Sequence, residues 1–202
     1  RQSRRDRYVR RLILKGDEKK MAIVFHKESR CFHLYNAEVS YIIRIMENEQ
    51  LEQLYYGKRI HDREDFTYLH EECMRSQMSI NVPEPGILSM QYTKQEFPTY
   101  GTGDYRSPAL TIAQENGSRI VNFTYAFHEI YNGKKNILPL PATYVESGDE
   151  AQTLEITLHD AVMDTDLILS YTIYEEYPVI TRNAKVSHNG SEKIVLDKIM
   201  SA

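Results

Sequence analysis

The sequence has no tryptophan, only two cysteines and no long apolar run. A structural zinc site takes about four ligands grouped in close pairs. Cys31 and Cys73 stand alone, so we expect two free thiols and no metal site. No stretch approaches the roughly 20 apolar residues that span a membrane, and no hydrophobic segment of a signal peptide follows the first residues. These absences indicate a cytoplasmic protein without a membrane partner.

Catalytic and cofactor motifs are also missing. Ser-His-Asp catalysis on a hydrolase fold needs a nucleophile elbow such as G-x-S-x-G, which the chain does not contain. The string "YGTGDY" has Gly101 and Gly103 but no third glycine, so a dinucleotide site is not expected. The histidines form no H-E-x-x-H motif, and we expect His26 and His33, in strand patterns, to be satisfied within the fold. The sequence predicts no cofactor and no self-contained active site.

The composition is that of a folded domain, with 41% hydrophobic and 27% charged residues in a chain of 202. Charge is uneven, because residues 1–20 carry nine Lys and Arg against three Asp and Glu. A basic arm could bind nucleic acid or a membrane. Met21, however, opens "MAIVFHKESRCFHLYN" like a natural start. We therefore expect residues 1–20 to form either a short helix or a disordered arm, and this segment could be a non-native leader. We expect no nucleic-acid partner.

Alternating strand patterns fill most of the remaining chain. "TLEITLHD" places Leu154, Ile156 and Leu158 on one face, and "DLILSYTIYEEY" repeats the pattern, so both are expected to be half-buried strands. No segment after residue 20 has sustained helical periodicity. The region 57–86 is irregular, and we expect a loop there with at most one helical turn. The pattern predicts an all-β fold, a large antiparallel β-sandwich of at least ten strands.

Asn-Gly pairs and a costly loop mark the turns. Asn189-Gly190 lies between two alternating runs and predicts a two-residue hairpin, and Asn116-Gly117 and Asn132-Gly133 have the same turn chemistry. The stretch "QEFPTYGTGDYRSPAL", residues 95–110, spends two glycines and two prolines on a precisely shaped loop. Asp104 and Arg106, two apart, share a face there, and we expect them to pin the loop, with Gly101 and Gly103, rather than to bind substrate.

Several strings carry a family resemblance, namely "HLYNAEVSYIIRI", "LYYGKRI", "KQEFPTYGTGDYRSPA", "HEIYNGK", "LPATYVES", "LSYTIYEEYPVITRNAKVSHNG" and "VLDKIMS". In this order, from Met21 to Ala202, they resemble the N-terminal domain of bacterial α-galactosidases of glycoside hydrolase family 36. The resemblance implies a large antiparallel β-sandwich over 21–202, a supersandwich of the galactose-mutarotase-like type. In the family this domain precedes a (β/α)8 catalytic barrel, which we expect to be absent from this chain.

The resemblance also implies where catalysis lies. Family members hydrolyse terminal α-galactosides, such as melibiose and raffinose, with retention, using two aspartates held about 5 Å apart in the barrel. The nucleophile motif, Lys, an aromatic residue and Asp, occurs nowhere here; the nearest string is Lys15-Gly16-Asp17. We therefore expect no catalytic residue in this chain and no activity of the chain alone.

Two roles remain open for such a domain. Family members form tetramers, and a loop reaches the active-site entrance of a neighbouring subunit; residues 71–76, "EECMRS", are the candidate. Cys73 would stand where some relatives have aspartate, so Glu72 or Arg75 would supply the substrate contact, and the alternative is a solvated loop. A stand-alone carbohydrate-binding or oligomerisation module is the rival interpretation. Coplanar exposed tyrosines would favour that module, and an exposed apolar face would favour a domain that docks on its barrel.

Overall fold

The computed structural model describes residues 21–71, 90, 92–101, 104–140 and 142–200. These residues form ten β-strands and two single-turn 3₁₀ helices, so the predicted all-β fold is confirmed. The expected helix or arm at residues 1–20 lies outside the described residues. The strands are β1 (Ala22–His26), β2 (Cys31–Tyr35), β3 (Val39–Ile45), β4 (Leu51–Lys58), β5 (Leu110–Gln114), β6 (Thr124–Asn132), β7 (Ala151–Asp160), β8 (Thr165–Tyr174), β9 (Ile180–His188) and β10 (Ile194–Ile199); the 3₁₀ helices are Thr67–Leu69 and Gly148–Glu150.

The strands form three antiparallel sheets. The first sheet contains β1 to β4 and the second sheet contains β6 to β9, each in chain order. Strands that are neighbours in these sheets are therefore also neighbours in sequence, and antiparallel neighbours of this kind can be joined by short turns. The third sheet is the pair of β5 and β10, which lie far apart in sequence.

The first and second sheets share one hydrophobic core. Phe32 and Ile43 from the first sheet belong to the same buried cluster as Leu154, Ile156 and Leu158 from the second. The face of β7 that the alternation in "TLEITLHD" predicted to be buried therefore lies in the core. Two inner faces that interdigitate in this way make a β-sandwich.

The opposite face of β7 is more covered than a half-buried strand implies. Thr153 is 1% exposed and Thr157 is 6% exposed. Thr153 Oγ1 donates a hydrogen bond of 2.7 Å to the carbonyl of Gly133 and lies 2.9 Å from Thr172 Oγ1. Threonine can occupy such a face because its hydroxyl finds partners there, so the prediction of a half-buried strand was wrong at these positions.

The predicted hairpin at Asn189-Gly190 was also wrong. Strand β9 pairs with β8, and β10 pairs with β5, so residues 189–193 carry the chain from one sheet to another. Gly190 does not adopt a positive φ; a Cβ there would lie 2.5 Å from the carbonyl oxygen of Met163. The glycine is needed for close approach of two backbone segments. Gly117 and Gly133, by contrast, have positive φ values of 85° and 79°.

After β4, residues 59–71 run across the outer face of the first sheet, and we call this segment the strap. Its single helical turn, Thr67–Leu69, agrees with the prediction for this irregular region, whose later part, residues 72–86, lies outside the described residues. Phe66 of the strap is buried against Cys31, Ile42 and Leu54 of the sheet. Within the described ranges, no helix has the length and apolarity needed to cross a membrane.

Candidate functional site

The sequence-predicted site residues fall into two groups. Glu72, Cys73 and Arg75 lie outside the described residues, so the substrate contact assigned to them stays a prediction. Gly103 also lies outside. Gly101, Asp104 and Arg106 are described, and all three belong to the loop between residues 95 and 110.

A tight backbone turn shapes this loop. The N–H of Gly101 donates to the carbonyl of Asp104 at 3.0 Å, and the N–H of Asp104 donates back to the carbonyl of Gly101 at 3.1 Å. Gly101 has a φ of 99°, and a Cβ there would lie 2.7 Å from Cγ2 of Ile120. Position 101 therefore needs glycine for its backbone conformation and for the space it leaves.

The Asp104 carboxylate is enclosed by donors of the same loop. Arg106 donates from Nε to Oδ1 at 2.9 Å and from Nη2 to Oδ2 at 2.7 Å, and Gln95 Nε2 donates to Oδ2. The same guanidinium reaches the carbonyl of Met90 at 3.0 Å. The hydrogen bond to Asp104 raises the pKa of Arg106. A bidentate pair of this kind fixes geometry, and these contacts support a structural role for the pair.

Glu96, beside this pair, is the strongest polar feature that the sequence analysis missed. Its carboxylate accepts from the hydroxyls of Tyr41 at 2.5 Å and Tyr171 at 2.9 Å, and Arg182 Nη2 lies 2.7 Å away. Tyr41 belongs to the first sheet, whereas Tyr171 and Arg182 belong to the second. One buried side chain of the loop therefore joins both sheets of the sandwich.

Burial sets the electrostatics of this network. Burial raises the pKa of the Glu96 carboxyl, while the charge of Arg182 and the hydrogen bonds from Tyr41 and Tyr171 oppose that shift. Burial also raises the pKa of the Tyr171 hydroxyl well above its usual value. Tyr41, Tyr171 and Arg182 are separated from Glu96 by 55, 75 and 86 positions, so no local sequence pattern connects them. Only the fold brings the four groups together.

A cleft of about 380 Å³ opens beside Glu96. Its walls include Glu96 and Arg182 together with Pro98, Pro108 and Met200. The Glu96 carboxylate already accepts hydrogen bonds from two tyrosine hydroxyls and is paired with the Arg182 guanidinium. Neither group is available as a nucleophile or a general base, which must reach the reacting atoms. The arrangement joins the two sheets but does not form a reaction centre.

A Ser-His-Asp arrangement does occur, but it is closed to substrates. Ser40 Oγ lies 2.9 Å from His33 Nε2, and His33 Nδ1 lies 2.7 Å from Asp62 Oδ1. Both Ser40 and His33 are fully buried. His26 contacts the same carboxylate at 2.9 Å. As expected from the sequence, both histidines are satisfied within the fold. In the described part of the chain, no group of three His, Cys, Asp or Glu could hold a metal ion.

Two pairs of tyrosines in the described part of the chain meet edge to face rather than in the coplanar arrangement of a sugar-binding platform. The rings of Tyr41 and Tyr56 meet at 79°, and those of Tyr100 and Tyr105 at 80°. Both arrangements are edge-to-face contacts typical of packed aromatic side chains.

One groove does combine exposed aromatic rings with carboxylates. Tyr144 is 75% exposed and Tyr177 is 63% exposed, and they border a groove of about 540 Å³. Four glutamates at positions 146, 150, 175 and 176 line the same groove. The Glu150 carboxylate is already used, since it caps the backbone N–H groups of Glu146 and Ser147.

Apolar side chains are exposed along two edge regions. On β10 and directly after it, Val195, Leu196, Ile199 and Met200 are 40–48% exposed. On β6, at the edge of the second sheet, Phe127 is 54% exposed. Exposed apolar edges are typical of surfaces that pair with further protein.

Comparisons with known proteins point to one family. The sequence model of the "Glycosyl hydrolase family 36 N-terminal domain" matches residues 49–202. The chain is 36% identical over 181 residues to α-galactosidase AgaA of Geobacillus stearothermophilus, which covers 90% of this chain and 25% of AgaA. Crystal structures of AgaA variants contain raffinose or stachyose.

Solved structures agree with this match. The α-galactosidase AgaB of Geobacillus stearothermophilus superposes with a TM-score of 0.81 at 36% identity, over 90% of this chain and 24% of AgaB. The α-galactosidase of Lactobacillus brevis gives a TM-score of 0.84 at 34% identity, over 89% of this chain and 24% of that protein. The chain thus spans about a quarter of the length of these relatives.

Proposed function

The chain belongs to the N-terminal domains of glycosyl hydrolase family 36, and we propose that residues 21–202 are the non-catalytic domain of an α-galactosidase. The complete enzyme would hydrolyse terminal α-galactosides of the melibiose and raffinose type with retention. The raffinose and stachyose complexes of AgaA variants support this substrate class. Cytoplasmic location belongs to the same proposal.

Two buried carboxylates of the loop between residues 95 and 110, Glu96 and Asp104, are not free to act in catalysis. A retaining glycosidase places two carboxyl groups about 5 Å apart beside the bond that breaks, and neither step needs a cofactor. Glu96 is held by three donors and Asp104 by Arg106 and Gln95, so neither can attack a sugar. The two catalytic aspartates would come from the catalytic barrel, which is therefore a partner of this domain.

The exposed apolar edges support a docking role. Val195, Leu196, Ile199 and Met200 are exposed on β10 and directly after it, and burying apolar surface favours association by roughly 25 cal/mol per Å². A barrel or another subunit that covers β10 would gain this contribution. We propose that the domain supports assembly into a homo-oligomer, which would be a tetramer as in the family.

The strap supports the proposed role at the active-site entrance. It ends at Glu71, whose side chain is 70% exposed, directly before residues 72–76. The strap is fixed to the first sheet through Phe66, so the chain enters the next segment from a defined position. We propose that Glu72 or Arg75 contacts sugar at the active-site entrance of a neighbouring subunit, with Cys73 between them.

The observation that carries the function is the 36% identity to AgaA over 90% of this chain. The test is the release of galactose from p-nitrophenyl α-galactoside and raffinose by the purified chain. We expect none above the buffer blank. Turnover that survives repurification and scales with chain concentration would contradict a non-catalytic role.

The groove between Tyr144 and Tyr177 favours the second candidate, a stand-alone carbohydrate-binding module. Tyrosine rings can stack on sugar, and carboxylates accept hydrogen bonds from sugar hydroxyls. Calorimetric titration of the chain with raffinose separates the two functions. The α-galactosidase domain predicts no heat of binding. Binding that disappears in Tyr177→Ala but remains in the exposed control Tyr68→Ala would favour the module.

A further inference from the structure

The strap covers a buried face of the first sheet. Phe66 is fully buried and packs against Cys31, Ile42 and Leu54, and Cys31 itself has no exposed surface. This small cluster is separate from the main core between the sheets. Access of solvent to Cys31 therefore depends on the position of the strap.

One carboxylate fastens the strap to two strands. Asp62 Oδ1 lies 2.9 Å from Nε2 of His26 on β1 and 2.7 Å from Nδ1 of His33 on β2. Glu64 of the strap lies 3.4 Å from the other ring nitrogen of His26, but its side chain is 72% exposed. Asp62 is consequently the strap carboxylate that contacts both histidines.

The hydrogen bonds around His33 can all be satisfied with a neutral ring. The backbone N–H of Ile60 donates to Ser40 Oγ at 3.0 Å, and Ser40 Oγ lies 2.9 Å from His33 Nε2. The Ser40 hydroxyl accepts from Ile60, and beside a neutral ring it can donate its hydrogen to His33 Nε2. His33 then carries its proton on Nδ1 and donates it to Asp62.

Protonation of His33 breaks this pattern. A proton on Nε2 would force the Ser40 hydroxyl to turn its hydrogen away and would place a charge on a fully buried ring. The ring is surrounded by Tyr35 at 4.7 Å and Phe66 at 4.9 Å, which do not solvate a cation as water does. The guanidinium of Arg59, 4.5 Å above the Tyr35 ring, adds a like charge nearby.

The far end of the strap has a second histidine contact. His70 Nδ1 lies 2.5 Å from Oε1 of buried Glu52, and Arg44 Nε lies 3.2 Å from Oε2 of the same carboxylate. Beyond it, Lys94 pairs with Glu71 on the surface, where an ion pair contributes little. Both ends of the strap are thus held by histidine and carboxylate, with Phe66 between them.

We propose that the strap, residues 59–71, is a pH-sensitive cover that is closed at neutral pH and opens locally in mild acid, exposing Cys31. This goes beyond the proposed function and does not depend on it. The opening consists of the loss of the Asp62 contacts and the withdrawal of Phe66, while both sheets stay folded.

The direction of the pH effect follows from two groups. Burial lowers the pKa of His33, with repulsion from His26 and Arg59, although Asp62 opposes the shift. A depressed pKa contributes stability that is present above the ordinary histidine value of about 6.5 and is lost as pH falls. Burial alone would raise the pKa of Asp62, but the hydrogen bonds from His33 and His26 outweigh it and lower that pKa. His33 therefore favours opening as pH falls below about 6.5, and Asp62 adds to this only below its ordinary pKa of about 3.8.

Labelling of Cys31 measures the opening. In a Cys73→Ser chain Cys31 is the only thiol, and 4,4′-dithiodipyridine remains reactive in acid. The labelling rate is divided by the rate in urea-unfolded chain at the same pH, which gives a protection factor. We expect the protection factor to fall about tenfold between pH 7.5 and 5.5. In the opened state His33 has the ordinary pKa of about 6.5, so at pH 5.5 its protonated form is about ten times as abundant as its neutral form. Near-UV circular dichroism should not change.

Two strap variants and a control decide the mechanism. Asp62→Asn should lower protection about tenfold at pH 7.5, whereas Glu64→Gln should match the parent chain. His33→Gln cannot be protonated and should show protection that no longer depends on pH, which keeps the test decisive if Asp62→Asn does not fold. The proposal would be overturned if protection in the parent chain did not change with pH, or if His33→Gln kept the pH profile of the parent chain. It would also be overturned if the near-UV signal were lost with the same pH midpoint as the protection.

Discussion

Replacing Glu96 by leucine removes the acceptor that joins the two sheets. Tyr41, Tyr171 and Arg182 all donate to this carboxylate, whose side chain is 1% exposed. Leucine has a similar size but no acceptor. Two hydroxyl hydrogens would then lose their acceptor, and Arg182 would lose its carboxylate partner but keep its hydrogen bond of 3.2 Å to the main-chain carbonyl of Glu96.

The cost can be estimated from these contacts. Removing one partner of a buried ion pair costs roughly 3–5 kcal/mol, and a buried hydroxyl without a partner costs about 1–3 kcal/mol. The three contributions overlap because they share one carboxylate, so we expect about 5 kcal/mol in total for Glu96→Leu. Glu96→Gln keeps the shape and one acceptor oxygen, and we expect about 2 kcal/mol.

Urea unfolding followed by far-UV circular dichroism measures these changes. Glu115→Gln, on an exposed turn, is the matched control and should stay within about 0.5 kcal/mol of the parent chain. Combining Glu96→Gln with Arg182→Gln should cost less than the sum of the single changes, because the two groups interact. A Glu96→Gln chain as stable as the control would refute the reasoning, even if Glu96→Leu does not fold.

Three further predictions concern the loop, the fold and the entrance. Gly101→Ala should lower the free energy of unfolding by about 1–2 kcal/mol, because position 101 has a positive φ and the new Cβ would contact Ile120. Gly148→Ala is the control and should be neutral, because a Cβ at position 148 has no atom within 4 Å. Equal melting temperatures of the two variants would contradict this. Far-UV circular dichroism should be dominated by strand, and a helix-dominated spectrum would contradict the fold. In a full-length enzyme, Glu72→Ala or Arg75→Ala should lower kcat/KM about tenfold on α-galactosides and change unfolding by less than about 0.5 kcal/mol. Wild-type kinetics in both variants would exclude the entrance role.

Local pattern predicted much of the fold. Leu154, Ile156 and Leu158 alternate in sequence and lie together in the core, because a pleated strand sends every second side chain to the same face. Gly117 and Gly133 adopt the positive φ that their Asn-Gly pairs indicated. These features depend on a few neighbouring residues, so the sequence contains the relevant information.

Pairing between distant segments could not be predicted in the same way. Asn189-Gly190 has the composition of a hairpin turn, but β10 pairs with β5, more than 70 residues earlier, because sheet pairing is decided by which faces are buried together. Glu96 has partners in three strands of two sheets. The clamp of Asp104 and Arg106 was predictable because the two residues are neighbours in one extended segment.

The central claim is that residues 21–202 are the non-catalytic N-terminal domain of an α-galactosidase. Exchange with AgaA tests it most directly: residues 21–202 replace the matched quarter of AgaA, and hydrolysis of p-nitrophenyl α-galactoside and raffinose is measured. The account predicts hydrolysis by the chimera and none by AgaA that lacks this quarter. A chimera that folds, as judged by circular dichroism, but shows no turnover beside active AgaA would contradict it.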